Sequence, residues 1–259
     1  MGQATQDIIA VRQDHCLVIT LNRPDRRNAL RPQDHARLAQ LFDEFAANDA
    51  LRVALFTGQG SQAFCAGSDL ADSQLGQRSS LPETGFAGLA ERFHLDKPVI
   101  AAINGDAIGG GLEIVLACDL ALAVPTARFG LPEPRVGLAA TGGLHRLARA
   151  LPAKLANEIA LTGQLFPADR ALQMGLINQL VEPARLMEEA GRLAAQIAGL
   201  APLSVQATKQ MLQKGLDKPG LAVAFAAPYP ALDRMLASED AKEGPRAFLE
   251  KRAPVWKGK

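Results

Sequence analysis

The stretch VIAAINGDAIGGGLEIVLACDLALAV, running from Val99 to Val124, decides how this chain folds. Residues 99–103 form a short apolar run with β-branched ends, which predicts a buried strand, and residues 120–124 are a second such apolar run. Between them, residues 110–118 are an apolar run opened by glycines, which reads as a helix. Strand, helix and strand in immediate succession predict an α/β core. Glu113 breaks the pattern. A carboxylate within so apolar a run is costly to bury unless it is hydrogen-bonded, paired or used.

Working outward, residues 8–11 and 16–21 read as a β-hairpin interrupted by polar Arg12 to His15, and Asn22-Arg23-Pro24-Asp25 ends it. Leu38, Leu41, Phe42 and Phe45 recur at helical spacing within residues 32–49, with Pro32 suited to a first turn. Residues 51–56 predict another buried strand. Beyond Leu144 the texture is nearly all helical: residues 152–162, 167–174, 186–200, 203–212 and 221–236 are rich in Ala and Leu with polar faces. Residues 176–181 are the one strand candidate in that half. Residues 74–84, with their Ser, Pro and Gly, read as a mobile loop. The expected organisation is an α/β core over residues 1–195 and a C-terminal helical region over residues 196–259.

Composition bounds the function. The 259 residues are 48% hydrophobic and 21% charged, enough for one sizeable core. Lys and Arg number 28 against 27 Asp and Glu, and no long run of one sign occurs, so neither nucleic acid nor an acidic membrane face is expected as a partner. A small molecule is. Three cysteines, Cys16, Cys65 and Cys118, are odd in number and widely spaced, which fits a reduced compartment. No apolar stretch is long enough to span a bilayer, and residues 1–9 lack the pattern of a signal peptide, so a cytoplasmic location is expected. His15, His35, His94 and His145 show no metal-ligand spacing, so no metal is expected.

Two glycine-bearing turns carry the candidate chemistry. Gly105 to Gly111 lies between a strand and a helix, where backbone N–H groups at a helix N-terminus point toward developing negative charge. Phe64-Cys65-Ala66-Gly67-Ser68-Asp69-Leu70 offers a second such turn. Two exposed donors facing one carbonyl oxygen would make an oxyanion hole. A second glutamate, Glu133, follows Phe129-Gly130-Leu131-Pro132, and two carboxylates suggest general acid and base work. Residues 58–63 formally fit a dinucleotide-binding fingerprint, but the helix that motif needs does not follow.

These segments resemble the enoyl-CoA hydratase/isomerase (crotonase) superfamily. The likeness rests on Ile19 to Pro24 with Asn28-Ala29-Leu30, on Phe64 to Leu70, and on Lys97 through Asp119. It continues through Phe129 to Glu133, Gly142-Gly143 with Arg146-Leu147, Gly175 to Asn178, and Ser238 to Gly244 with Phe248 and Glu250 to Arg252. The resemblance implies a crotonase-like (ClpP/crotonase) core of repeated ββα units with a helical C-terminal region that packs on neighbouring subunits, giving a homotrimer or homohexamer.

It further implies that the Ser68 and Gly110 amides hold a thioester oxygen, with Glu113 and Glu133 as catalytic carboxylates and Arg27, Ala66, Asp69, Leu70, Gly109 and Lys251 contacting the acyl-CoA. The implied activity is a hydro-lyase adding water to a 2-enoyl-CoA or removing it from a 3-hydroxyacyl-CoA, with coenzyme A as part of the substrate and no separate cofactor. Enoyl-CoA isomerisation, dehydration of carnitinyl-CoA type, and a catalytically weak thioester-binding role share these motifs. Phe86, Leu89, Phe93 and Leu95, within residues 72–95, are expected to wall the acyl site. Two departures bear on Glu133: residues 136–141 lack the usual Pro-Gly-Ala pattern and are one residue short, and Pro134 should hold Glu133 in extended backbone.

Overall fold

The computed structural model describes residues 6–69 and 81–259. The main sheet takes the strand order β1-β2-β3-β5-β7-β10, with β1 Ile8–Gln13, β2 Cys16–Leu21, β3 Val53–Gly58, β5 Val99–Ile103, β7 Leu120–Ala123 and β10 Gln179–Leu180. The β1–β2 hairpin is antiparallel and every other pairing in this sheet is parallel. One row across it joins Ile19, Phe56, Ala101 and Ala121, all buried. Strands covered on both faces read as continuous apolar runs rather than alternating ones, which is why residues 99–103 and 120–123 were legible.

A second, smaller sheet runs β4-β6-β8-β9, from β4 Ala63–Cys65, β6 Asp106–Ile108, β8 Arg128–Gly130 and β9 Phe166–Pro167. The chain visits the sheets alternately. β3 leads to β4, β5 to β6 and β7 to β8, each main-sheet strand handing over to a parallel strand of the small sheet. The helix α1, Pro32–Ala47, buries Leu38, Leu41, Phe42 and Phe45, with Pro32 in its first turn as expected. The helix α2, Gly110–Ala117, follows β6 directly.

The remaining helices are α3 Leu144–Ala150, α4 Ala153–Thr162, α5 Ala168–Gln173, α6 Leu186–Ala198, α7 Pro202–Leu216, α8 Leu221–Ala226, α9 Pro230–Ala237 and α10 Asp240–Leu249. The boundary expected between residues 195 and 196 falls inside α6, which packs across β3 and β5. The single helix expected over 221–236 is two. Pro228 forces Ala227 into extended backbone (ψ 147°) and Pro230 does the same to Tyr229 (φ −127°, ψ 94°), so α8 stops and α9 starts afresh. The strand expected over 176–181 shortens to β10, and the one expected over 51–56 lies at Val53–Gly58. Residues 74–80 of the expected loop lie outside the described residues. Among those described, no helix is long and apolar enough to cross a membrane.

Candidate active site

Four groups reach the site because the chain leaves the small sheet three times at neighbouring points. After β4, the buried Asn28 side chain holds the approach by donating to the carbonyls of Gln59 (3.0 Å) and Ala63 (2.7 Å). The chain then turns at Gly67 (φ +89°), where an added Cβ would stand 3.2 Å from the Gly110 amide nitrogen. Leu30 donates to the Gly67 carbonyl and accepts from the Asp69 amide, both at 2.8 Å. In an extended segment successive amides face opposite ways, so the N–H of Ser68 faces away from Leu30. The second exit, after β6, places Gly110 at the first position of α2. Its N–H has no partner inside the helix there. No described residue accepts a hydrogen bond from either the Ser68 or the Gly110 amide.

Glu113 lies one turn into α2, on the buried side, and only 6% of it is exposed. Its Oε1 accepts the Gly142 N–H at 2.9 Å. Burial, followed by the negative charge of Glu133, raises the Glu113 carboxyl to about 7, against the pull of the Gly142 and Gly143 amides. The third exit, after β8, delivers Glu133. Its Oε1 comes within 2.9 Å of the place a Cβ on Gly109 would occupy, and Gly109 itself has a positive φ of 57°, so a side chain is excluded there twice over. The Oε2 of Glu133 is buried and has no hydrogen-bond partner among the described residues. Burial raises this carboxyl too, opposed by its own backbone amide.

The backbone of Glu133 departs from the expectation. Rather than extended, it opens a 3-10 turn, Glu133–Val136. Arg135 donates to the Pro132 carbonyl at 2.9 Å and Leu138 to the Glu133 carbonyl at 3.0 Å, and these bonds prevail over the preference imposed by Pro134. In a first turn the proline gives up only an N–H that would lack a helical partner anyway. The shortened segment is then closed by Gly143 and Leu144, both donating to Ala140, which turns Gly142 toward Glu113.

Two carboxylates and two outward-facing amides therefore gather at the N-terminal end of α2. A family model described as enoyl-CoA hydratase/isomerase matches residues 12–259. The chain belongs to this family. A carnitinyl-CoA dehydratase from Salmonella typhi is 40% identical over 261 positions, covering 98% of this chain and 100% of that protein. One from Escherichia coli K12 is 39% identical over 264 positions with the same coverage. Among solved structures, an enoyl-CoA hydratase from Mycobacterium tuberculosis H37Rv superposes with a TM-score of 0.91 at 39% identity, covering 98% of this chain and 99% of that one. Another, from Bacillus anthracis, gives 0.89 at 31% identity, covering 98% and 100%. The fold is the crotonase fold.

Within this hydratase/isomerase-family chain the other expected contact residues are scattered in kind. Arg27 is exposed, in left-handed backbone (φ 51°), and its carbonyl accepts the Ala66 amide at 3.0 Å, so the two sit together beside the Gly67 turn. The Asp69 carboxylate is turned to Arg23 at 2.9 Å, a nearly buried ion pair, and Arg23 also donates to the Ala29 carbonyl. Leu70 lies outside the described residues. Lys251 is exposed just past α10, a helix that packs on α9 rather than on either sheet. Phe86, Leu89 and Leu95 are buried whereas Phe93 is 64% exposed.

Two contacts went unread in the sequence. The Phe86 ring lies so near Gly110 that a Cβ there would meet its Cζ at 2.3 Å, and the Gly142 amide holds Glu113. The Gly142-Gly143 pair was the only visible signal of the second. Asp119 is structural: it accepts from the Val99 amide (2.8 Å), Lys209 (2.7 Å) and Gln213 (2.9 Å). It stands in the wall of a cavity of about 800 Å³ beside the C-terminal end of α2, with Leu116, Arg146 and Trp256, and neither glutamate lines that cavity. No cluster of metal-ligating side chains occurs among the described residues.

Proposed function

We propose that the chain interconverts a 2-enoyl-CoA and a 3-hydroxyacyl-CoA by adding or removing water. The observation that carries this reading is the meeting of Glu113 and Glu133 beside the free amide of Gly110. In the hydration direction the Glu113 carboxylate, held by Gly142, takes a proton from water while the water oxygen bonds to the β-carbon. The electron pair of the double bond moves toward the thioester, and charge builds on its oxygen. Ser68 and Gly110 donate to that oxygen; losing one such donor typically costs roughly 3–4 kcal/mol of transition-state stabilisation. Protonated Glu133 then delivers its proton to the α-carbon. Exchange of one proton between the carboxylates through solvent resets the pair.

The electrostatics support this division. Like charges in one buried site resist joint ionisation, and burial raises both carboxyls. At rest the shared proton favours Glu113, which burial and the charge of Glu133 raise to about 7; hydration proceeds from the form with the proton on Glu133, whose Oε2 lacks any donor to stabilise a negative charge, leaving Glu113 the carboxylate held by an amide. The same groups run the reaction backwards. Its carnitinyl-CoA dehydratase relatives favour including a 3-hydroxyacyl-CoA with a trimethylammonium end among the substrates tested. The steps use the chain's own groups, with coenzyme A as the handle. Arg27, Ala66 and Gly109, beside the Gly67 turn and the start of α2, would contact the acyl-CoA; Lys251 would reach it from a neighbouring subunit of a homotrimer or homohexamer. The three unpaired thiols suit a reducing cytoplasm.

The test follows hydration of short and medium trans-2-enoyl-CoA thioesters by loss of enone absorbance. Glu113→Gln and Glu133→Gln should each lose most turnover, and the double variant should lose little more, because groups that act as a unit are not additive. Full activity in Glu133→Gln with a dead Glu113→Gln would replace this reading with a one-acid isomerase; a wild type that binds thioesters and turns none over would replace it with a binding role.

A further inference from the structure

The turn that carries Phe86 has an unusual construction. Phe86–Gly88 is a 3-10 turn containing Ala87 in left-handed backbone (φ 53°, ψ 20°), a conformation that disfavours any residue with a Cβ. Ala87 is fully buried, so its amide must find a partner. The partner is His35 of α1, whose Nδ1 lies 3.1 Å from the Ala87 nitrogen. A backbone N–H can only donate, so Nδ1 is the bare nitrogen and the imidazole proton sits on Nε2. The residue is only 4% exposed, and burial pushes the imidazole pKa down to about 4 despite Asp34 beside it, which keeps it an acceptor near neutrality. The same ring packs on Phe86 with centroids 4.5 Å apart. Arg92 closes the other end of the segment, donating to the carbonyls of Gly88 and Ala39 and pairing with Asp43.

The segment is thus fastened to α1 at both ends, and what it presents is the Phe86 ring, set against Gly110. We propose that His35 is a positioning residue for the oxyanion hole: through the Ala87 amide and the Phe86 ring it fixes the first residue of α2 from behind. The chain of contacts runs from His35 to Ala87 and Phe86 and ends at Gly110. Without the acceptor, the buried Ala87 N–H is left unpaired and the turn can relax from its left-handed conformation, carrying the ring off Gly110. The inference rests on the proposed role of the Gly110 amide.

Two substitutions separate the parts of His35. His35→Phe keeps a ring against Phe86 but removes the acceptor; His35→Asn places an amide oxygen where Nδ1 stood. Each is assayed well below its own unfolding temperature. His35→Phe should lower kcat about tenfold at nearly constant KM, because an oxyanion donor acts in the transition state, and His35→Asn should recover to within about threefold of wild type. A second readout needs no turnover. A cinnamoyl-CoA bound to the wild type should show a red-shifted absorbance from polarisation of its thioester carbonyl, and that shift should shrink in His35→Phe and return in His35→Asn.

A lower unfolding temperature with unchanged kcat and unchanged red shift in the folded variants would overturn the inference while leaving the oxyanion hole standing. No red shift in the wild type would overturn both. If His35→Phe does not fold, Phe86→Leu is measured instead, and it must reduce both kcat and the red shift; unaltered values would sink the proposal.

Discussion

At Glu113 a single side chain links the stability of the fold to its chemistry. Burial and the charge of Glu133 raise its carboxyl from near 4.5 to about 7, so between those values the folded chain holds a proton that the unfolded chain has released. This contribution is fully present below about 4.5 and is lost as pH rises through 7. Glu113→Gln is neutral throughout and its Oε1 can still accept from Gly142. It should therefore be more stable than the wild type at pH 8 by up to about 3 kcal/mol, with the difference nearly gone at pH 4, as read by urea unfolding at both values. Equal stability at pH 8 would mean that Glu113 ionises there without strain. The residue itself was legible, because a carboxylate in an apolar helix advertises a cost. Its holder was not: a backbone amide contributed by Gly142 leaves no mark in residue identity. Nor did His35 stand out, since spacing alone cannot show that a lone histidine accepts from a turn 52 residues away.

At the scale of elements, the long strands of the main sheet and the helix α1 were readable, since burial on both faces of β5 and β7 leaves continuous apolar runs and one-sided burial of α1 imposes a helical period. The strands β4, β6, β8 and β9 were not. Two or three residues are too few for any periodicity, so residues 63–65 and 106–108 looked like parts of turns. Yet these strands aim the site. The Glu133 turn was misread for another reason: a local proline preference lost to hydrogen bonds formed with residues on either side. The loop that follows it is equally exacting. A Cβ added at Gly142 would come within 2.9 Å of Glu113 Oε2, so Gly142→Ala keeps the amide but displaces the carboxylate. Turnover should fall at least about tenfold while affinity for a saturated acyl-CoA is retained, measured by steady-state kinetics and calorimetry. Wild-type turnover would show that the carboxylate tolerates displacement.

For the whole molecule, the helical tail carries more apolar surface than a solvated appendage should. Phe225, Phe248, Leu249 and Leu221 are each at least 79% exposed. Homo-oligomerisation would cover them. Sedimentation at micromolar concentration should give a trimer or hexamer, and Phe225→Glu together with Phe248→Glu should shift it toward monomer; a stable wild-type monomer would count against this assembly.

The alternation between the two sheets has a consequence for how such a molecule can change its trade. Each of the three hand-overs ends in a tip at the candidate site: Ser68 after β4, Gly110 and Glu113 after β6, Glu133 after β8. The tips touch one another, Gly67 against Gly110 and Glu133 against Gly109, so rewriting one of them reaches the others. A protein built this way is a three-socket holder, in which a change of fitting at one socket is felt at the others.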